Sequence, residues 1–126
     1  MREMYLKGFK ICIEKSKPKA LMTSYNLLNG IHTAENKGLV QDILRCEWGY
    51  EGIVMTDWVI QMAADSRSVN RNSLASNTIA AGGDLFMPGG KGDYKNLLEG
   101  IKKKTVTEER VRISADRVIK TIKELL

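Results

Sequence analysis

Two short apolar runs, each closed by polar residues at its carboxyl end and separated by one helix-sized interval, constrain what this chain can fold into. The first is Ala20 to Tyr25, continuing through Asn26-Leu-Leu-Asn-Gly30, and the second is Gly52-Ile-Val-Met-Thr-Asp-Trp58. An unbroken apolar triplet such as Ile53-Val54-Met55 suits a parallel strand covered on both faces. In α/β folds the polar residues just past such strands line the ligand crevice. Asp57 is therefore the first candidate for chemistry. On its own, an aspartate after a strand serves as a helix cap or loop anchor more often than as a catalyst, so its neighbours decide.

Those neighbours alternate between helix and strand. Tyr5, Phe9, Cys12 and Ile13 stand at helical spacing and predict a helix over 3–16, stopped by Pro18 because the residue before proline disfavours the α region. Ala20 to Tyr25 reads as a strand, and Asn29-Gly30 marks a turn. Thr33 is the expected N-cap of a second helix whose buried face carries Leu39, Val40, Ile43, Leu44 and Trp48. Glu35 lies near the positive end of that helix, and Gly49 stops it. A strand from Gly52 to Thr56, a loop-rich stretch up to Asn72 and a helix over 73–81 follow, the last ended by Gly82-Gly83. Asp84 to Met87 is the third strand, closed by Pro88-Gly89-Gly90. Of the two final helices, one is lined by Tyr94, Leu97, Leu98 and Ile101. The other opens at Thr107-Glu-Glu and is lined by Val111, Ala115, Val118, Ile119, Ile122 and Leu126.

No hairpin signal joins consecutive strands, so this alternation implies an α/β fold with about three parallel strands and flanking helices joined by right-handed crossovers. A closed barrel of this kind has eight strands. Three make a small sheet or a partial (βα) barrel with exposed edges. The 126 residues fit a single domain, 1–126, without linker or repeat.

Composition excludes several classes. The chain is 43% hydrophobic and 28% charged, which argues for a folded, soluble protein. Its net charge of +5 is gathered in segments such as Lys102-Lys103-Lys104 and the last helix, with only 6% aromatic residues, so the cations read as a solvated face and no nucleic-acid platform is expected. Cys12 and Cys46 lack partners at metal-ligand spacing and read as buried free thiols. His32, the sole histidine, reads as a loop residue. Neither a metal site nor a cofactor is indicated. The Gly89-Gly90-Lys91-Gly92 loop lacks the P-loop pattern and reads as a turn. With no membrane span and no apolar leader at the amino terminus, the expected location is cytoplasmic.

Taken in order, Met22-Thr-Ser-Tyr-Asn with Asn29-Gly30, Glu35-Asn36, Asp42-Ile-Leu-Arg45, Glu47-Trp-Gly-Tyr-Glu-Gly52, Met55-Thr-Asp-Trp58, Ala80-Ala-Gly-Gly-Asp84 and Met87-Pro-Gly89 resemble the family 3 glycoside hydrolases of β-glucosidase type. The resemblance runs on into the last helix with Glu109, Arg112 and Arg117. It implies the carboxy-terminal part of a TIM-like barrel, its last three strand-helix units, in a family whose barrel precedes an α/β sandwich domain.

The resemblance also implies roles. Asp57 falls on the family's nucleophile, Trp58 on a residue flanking the sugar subsite and Tyr25 on a tyrosine near the nucleophile; Met22 and Met87 fall near the subsite wall. The implied reaction is retaining, exo-acting hydrolysis of a β-glucoside or related oligosaccharide, with a second carboxyl group about 5–5.5 Å from the nucleophile. The Lys-His pair that grips the sugar and the sandwich domain with its acid/base Glu have no counterpart here. Glu35, Glu47 and Glu51 are not assigned as the acid, so the chain alone is expected to turn over little or nothing. The alternative from the residues alone is a non-catalytic half-barrel that self-associates through its open strand edges.

Overall fold

A computed structural model of the chain describes residues 1–58 and 73–126. The loop-rich stretch expected up to Asn72 lies outside the described residues. Strand β1 (Ala20–Met22) and a later strand, Ile53–Met55, pair in parallel, with Ala20 opposite Ile53, Leu21 opposite Val54 and Met22 opposite Met55. Met55 in turn bridges Leu85 in parallel. Few parallel strands with flanking helices are what the alternation predicts.

All three strands are shorter than expected, the one expected over Gly52 to Thr56 by a residue at each end. The third is reduced to the bridge at Leu85 because side chains intercept the ladder on either side of it. The Asp84 carboxylate takes the Val54 N–H at 2.8 Å, and Thr56 Oγ1 takes the Met87 N–H at 2.8 Å. Strand β1 stops at Met22 although Thr23 N still donates to Met55 O at 2.9 Å. The Ser24 carbonyl then accepts from the Thr33 hydroxyl at 2.6 Å, and the chain turns into a hairpin. That hairpin pairs β2 (Leu27–Leu28) with β3 (Ile31–His32), so His32 lies in a strand rather than a loop. Asn29 and Gly30 both have positive φ, 52° and 81°, as a two-residue type I′ hairpin requires. In chain order Ile53–Met55 is then β4.

Helix α1 (Lys7–Ser16) follows a π-wound turn at Arg2–Leu6. Only Ile13 of its expected face is buried; Tyr5 and Phe9 are exposed. The helix between β3 and β4, Gly38–Glu47, winds with π-type turns, and its last bond runs from Trp48 N to Ile43 O. Its cap is not Thr33, which opens a 3-10 turn at Thr33–Glu35, but Asn36, whose side-chain oxygen accepts the Leu39 N–H at 3.0 Å. Val40 and Leu44 of this helix meet Ile13, Tyr50 and Val54 in the core, with Leu21 and Trp48 packed against them. Both cysteines are exposed, contrary to expectation. The inward stripes pass through Ile13, Val40 and Leu44, and Cys12 and Cys46 stand one and two residues from them, turned off those stripes by the helical rotation.

Helix α2 (Ala75–Ala81) ends at Gly82, with φ 114°, and packs against α3 (Lys91–Lys102). There Gly100 makes the close approach, since a β-carbon would lie 2.5 Å from Ser76 Cβ. The last helix, α4 (Glu108–Leu125), is capped by the Thr107 hydroxyl, which accepts from Arg110 N at 3.1 Å.

The inward face of α4 is not the apolar one. Ser114 is 2% exposed whereas Ile119 is 50% exposed, and Ile122 and Leu126 also face water. Polar contacts explain the inversion. Arg110 Nε donates to Ile79 O (3.0 Å), the Ser114 hydroxyl to Gly83 O (2.9 Å), Arg117 Nη1 to Asp84 Oδ1 (3.2 Å) and Lys120 Nζ to Glu51 Oε2 (2.9 Å), while Glu124 pairs with Lys19. In sequence order these partners precede the third strand, β4 and β1. The helix crosses the amino-terminal edge of the sheet at about one turn per strand: three or four residues rise about 4.5–6 Å, against a strand spacing of about 4.8 Å.

Candidate active site

The register that aligns Met22, Met55 and Leu85 sends the next residues of all three segments off the same, carboxyl-terminal edge. Thr23 to Tyr25 leave β1, Thr56 to Trp58 leave the central strand β4, and Phe86 and Met87 leave the third segment. In α/β folds this is the edge where ligands bind, because side chains from several strand ends converge there.

Each expected site residue lies on it. Asp57 is half-buried, two residues past Met55, and its Oδ1 accepts the Trp58 backbone N–H at 2.6 Å. That bond fixes the turn out of the strand. Met87 is half-buried and is tied directly to β4 by the bond from its N–H to the Thr56 hydroxyl. Met22, Tyr25 and Trp58 are 54%, 39% and 55% exposed. Asp57 and Met87 are thus joined through Thr56, whereas Met22, Tyr25 and Trp58 share the edge with faces open to solvent.

The three glutamates left unassigned are engaged elsewhere. Glu35 accepts the Leu74 N–H at 2.6 Å, at the start of α2. Glu47 pairs with Arg2, whose hydrogen bond holds its carboxyl below the usual range, and Glu51 is lowered likewise by Lys120.

The strongest electrostatic feature lies toward the opposite edge, and sequence reasoning gave its members no role. The Asp84 carboxylate is fully buried and accepts from Arg45, from Val54 N at 2.8 Å and from Arg117 at 3.2 Å. Arg45, also buried, further donates to the carbonyls of Tyr50 (3.0 Å), Gly52 (2.6 Å) and Gly82 (3.2 Å). Burial lowers the pKa of Arg45 against the opposing pull of Asp84, and burial raises the Tyr50 phenol to about 12. A carboxylate next to Gly82-Gly83 and an arginine beside the apolar stripe of Val40 and Leu44 were the available signals. Such buried charges persist only when paired.

A cleft of about 390 Å³ opens at the same amino-terminal edge, lined by Trp48, Tyr50 and the ion pairs Lys19–Glu124 and Lys120–Glu51. Four of its charges are paired in those two bridges, and in barrels this edge serves stability rather than chemistry. Among the described residues, no cluster of His, Cys, Asp and Glu is placed to hold a metal ion, and no helix is long and apolar enough to cross a membrane.

Comparison with known proteins bears on the family and the fold. The family model described as the glycosyl hydrolase family 3 N terminal domain matches residues 1–121. β-Glucosidase B of Emericella nidulans is 39% identical over 99% of this chain, which spans 14% of that protein; a β-glucosidase of Rhizobium radiobacter is 41% identical over 94%, spanning 13%. Among solved structures, β-glucosidase 3B of Thermotoga neapolitana in complex with glucose superposes with a TM-score of 0.81 at 32% identity, over 96% of this chain and 16% of that one. The chain therefore corresponds to a small part of much longer relatives.

Proposed function

Because this chain belongs to glycosyl hydrolase family 3, we propose that it supplies the last three strand-helix units of a β-glucosidase-type barrel and carries the nucleophile, Asp57, of a retaining, exo-acting hydrolysis of β-linked glucosides or related oligosaccharides. The observation that supports this most directly is the place of Asp57, past the end of the central strand and on the edge shared by Tyr25, Trp58, Met22 and Met87.

In this reading the Asp57 carboxylate attacks the anomeric carbon while a carboxyl group from outside the chain protonates the departing oxygen. Water then cleaves the glycosyl ester with that same group acting as base. Trp58 offers the pyranose ring an apolar face. The Tyr25 phenol donates to the carboxylate and holds its rotamer, and Met22 and Met87 border the sugar. Turnover requires the remaining barrel strands and the sandwich domain, so the chain alone is expected to be inactive.

The test transplants residues 1–121 into the matching stretch of the Thermotoga neapolitana enzyme. A fluorinated aryl β-glucoside that traps the glycosyl-enzyme is expected to label Asp57, and Asp57→Asn to lower kcat by about 10³-fold or more. Labelling of another carboxylate would overturn the assignment, and enzyme-like turnover by the isolated chain would overturn its dependence on the remaining strands and the sandwich domain.

A second reading rests on the strand edges. Among the described residues β1 pairs only with β4, which leaves its outer edge open. A non-catalytic half-barrel would cover that edge with a second copy, and sedimentation of the purified chain would then show a dimer.

A further inference from the structure

Thr56 immediately precedes Asp57, and its side chain is completely buried. Its backbone N–H donates to Leu85 O at 3.0 Å, as a strand residue should, but its hydroxyl also accepts the Met87 N–H at 2.8 Å. One residue thus grips the third segment twice, on the carboxyl side of Leu85. On the amino side, Asp84 does the equivalent from the other strand. Its backbone N–H donates to Val54 O at 2.8 Å while its carboxylate accepts the Val54 N–H at 2.8 Å.

The single bridge at Leu85 is therefore flanked by two side-chain bonds, one below and one above. The lower one is backed by Arg45 and by Arg117 of α4. A one-residue bridge leaves a short segment free to pivot, because strand direction is set by successive ladder bonds. Side-chain bonds on both sides remove that freedom, and hydrogen bonds involving a charged, buried group are the stronger kind.

We infer that Thr56 and Asp84 form a two-point latch that positions Asp57 relative to Met87, with Arg117 holding the lower point from α4. They are positioning residues: neither touches substrate, and their bearing on hydrolysis rests on Asp57 being the nucleophile. Thr56 sets the separation of Asp57 from Met87. Asp84 sets the tilt of the strand that carries the first of them.

The latch is tested on the isotope-labelled chain by amide resonances and hydrogen exchange, which need no turnover. Failure of the glycosidase reading, seen by covalent labelling, would leave this measurement standing, and the reverse also holds. Thr56→Val keeps the shape and removes the acceptor. It is expected to speed exchange at the Met87 amide at least tenfold and to displace the Asp57 and Trp58 resonances together with that of Met87. Thr56→Ser restores all three, and the hairpin amides of Leu28 and Ile31 stay where they were. Asp57 and Trp58 resonances that hold still while Met87 moves, or a serine variant that restores nothing, would overturn the latch. Should Thr56→Val not fold, Arg117→Met decides: Val54 exchange faster by tenfold with a displaced Asp57 resonance supports it, and unchanged Val54 exchange refutes it.

Discussion

Asp84 shows how much one side chain can organise. Its carboxylate answers two guanidinium groups and one strand amide, and of these the Arg45 guanidinium is buried with it. Removing one member of a buried pair costs more than the pair contributes, because the remaining charge is left unanswered. Asp84→Asn is accordingly expected to lower unfolding stability by about 3 kcal/mol, read as a fall in the urea midpoint. Nothing in the sequence gave Asp84 this role, since an acidic residue opening a strand looks the same whether its partners lie nearby or on helices some 40 residues before it and 30 after. The place of Asp57 was legible because an apolar run ending in polar residues marks a strand end, while the role proposed for it came from the resemblance. The role of Thr56 was hidden, because a threonine ending a strand needs no special explanation until its partner, Met87, is brought beside it.

At the level of elements, the helices and the parallel pairing follow from periodicity, but the faces they bury do not always. In the Gly38–Glu47 helix the apolar stripe through Val40 and Leu44 does enter the core. In α4 the stripe through Ile119 and Ile122 faces outward, because five polar contacts reach backbone carbonyls and charges at the sheet edge that an apolar face could not satisfy. Helix α3 offers a test with opposite signs. Gly100→Ala forces a β-carbon to 2.5 Å from Ser76 Cβ and is expected to destabilise by about 1–3 kcal/mol. Gly92→Ala, with no atom within 4 Å, is expected to stabilise by about 0.5–1 kcal/mol through helix propensity. Thermal unfolding of the two variants checks both.

For the molecule as a whole, among the described residues the amino-terminal edge of the sheet is the one tied together by ion pairs. Tyr50 reports on the tied region. Its hydroxyl donates to Ile53 O at 3.3 Å, its ring lies under the Arg45 guanidinium, and burial raises its pKa to about 12. A phenol whose folded pKa exceeds its unfolded value of about 10 adds stability that is complete below pH 10 and is lost as pH climbs toward 12. Titration followed by phenolate absorbance should show one tyrosine ionising near 12. Tyr50→Phe should remove that step and flatten the alkaline fall in stability. Exposed ion pairs such as Lys120–Glu51 matter less to that fall, since solvent and salt screen them.

The crossing of α4 over the strand ends makes helix and sheet a pair of meshed gears, with each turn of one engaging one tooth of the other. A single residue inserted between Arg117 and Lys120 would rotate everything beyond it by about 100° and throw Lys120 and Glu124 out of mesh with β4 and β1. The same insertion at the Asn29-Gly30 tip would meet no such constraint. Length differences between this chain and its relatives should therefore gather in its turns and spare its final helix.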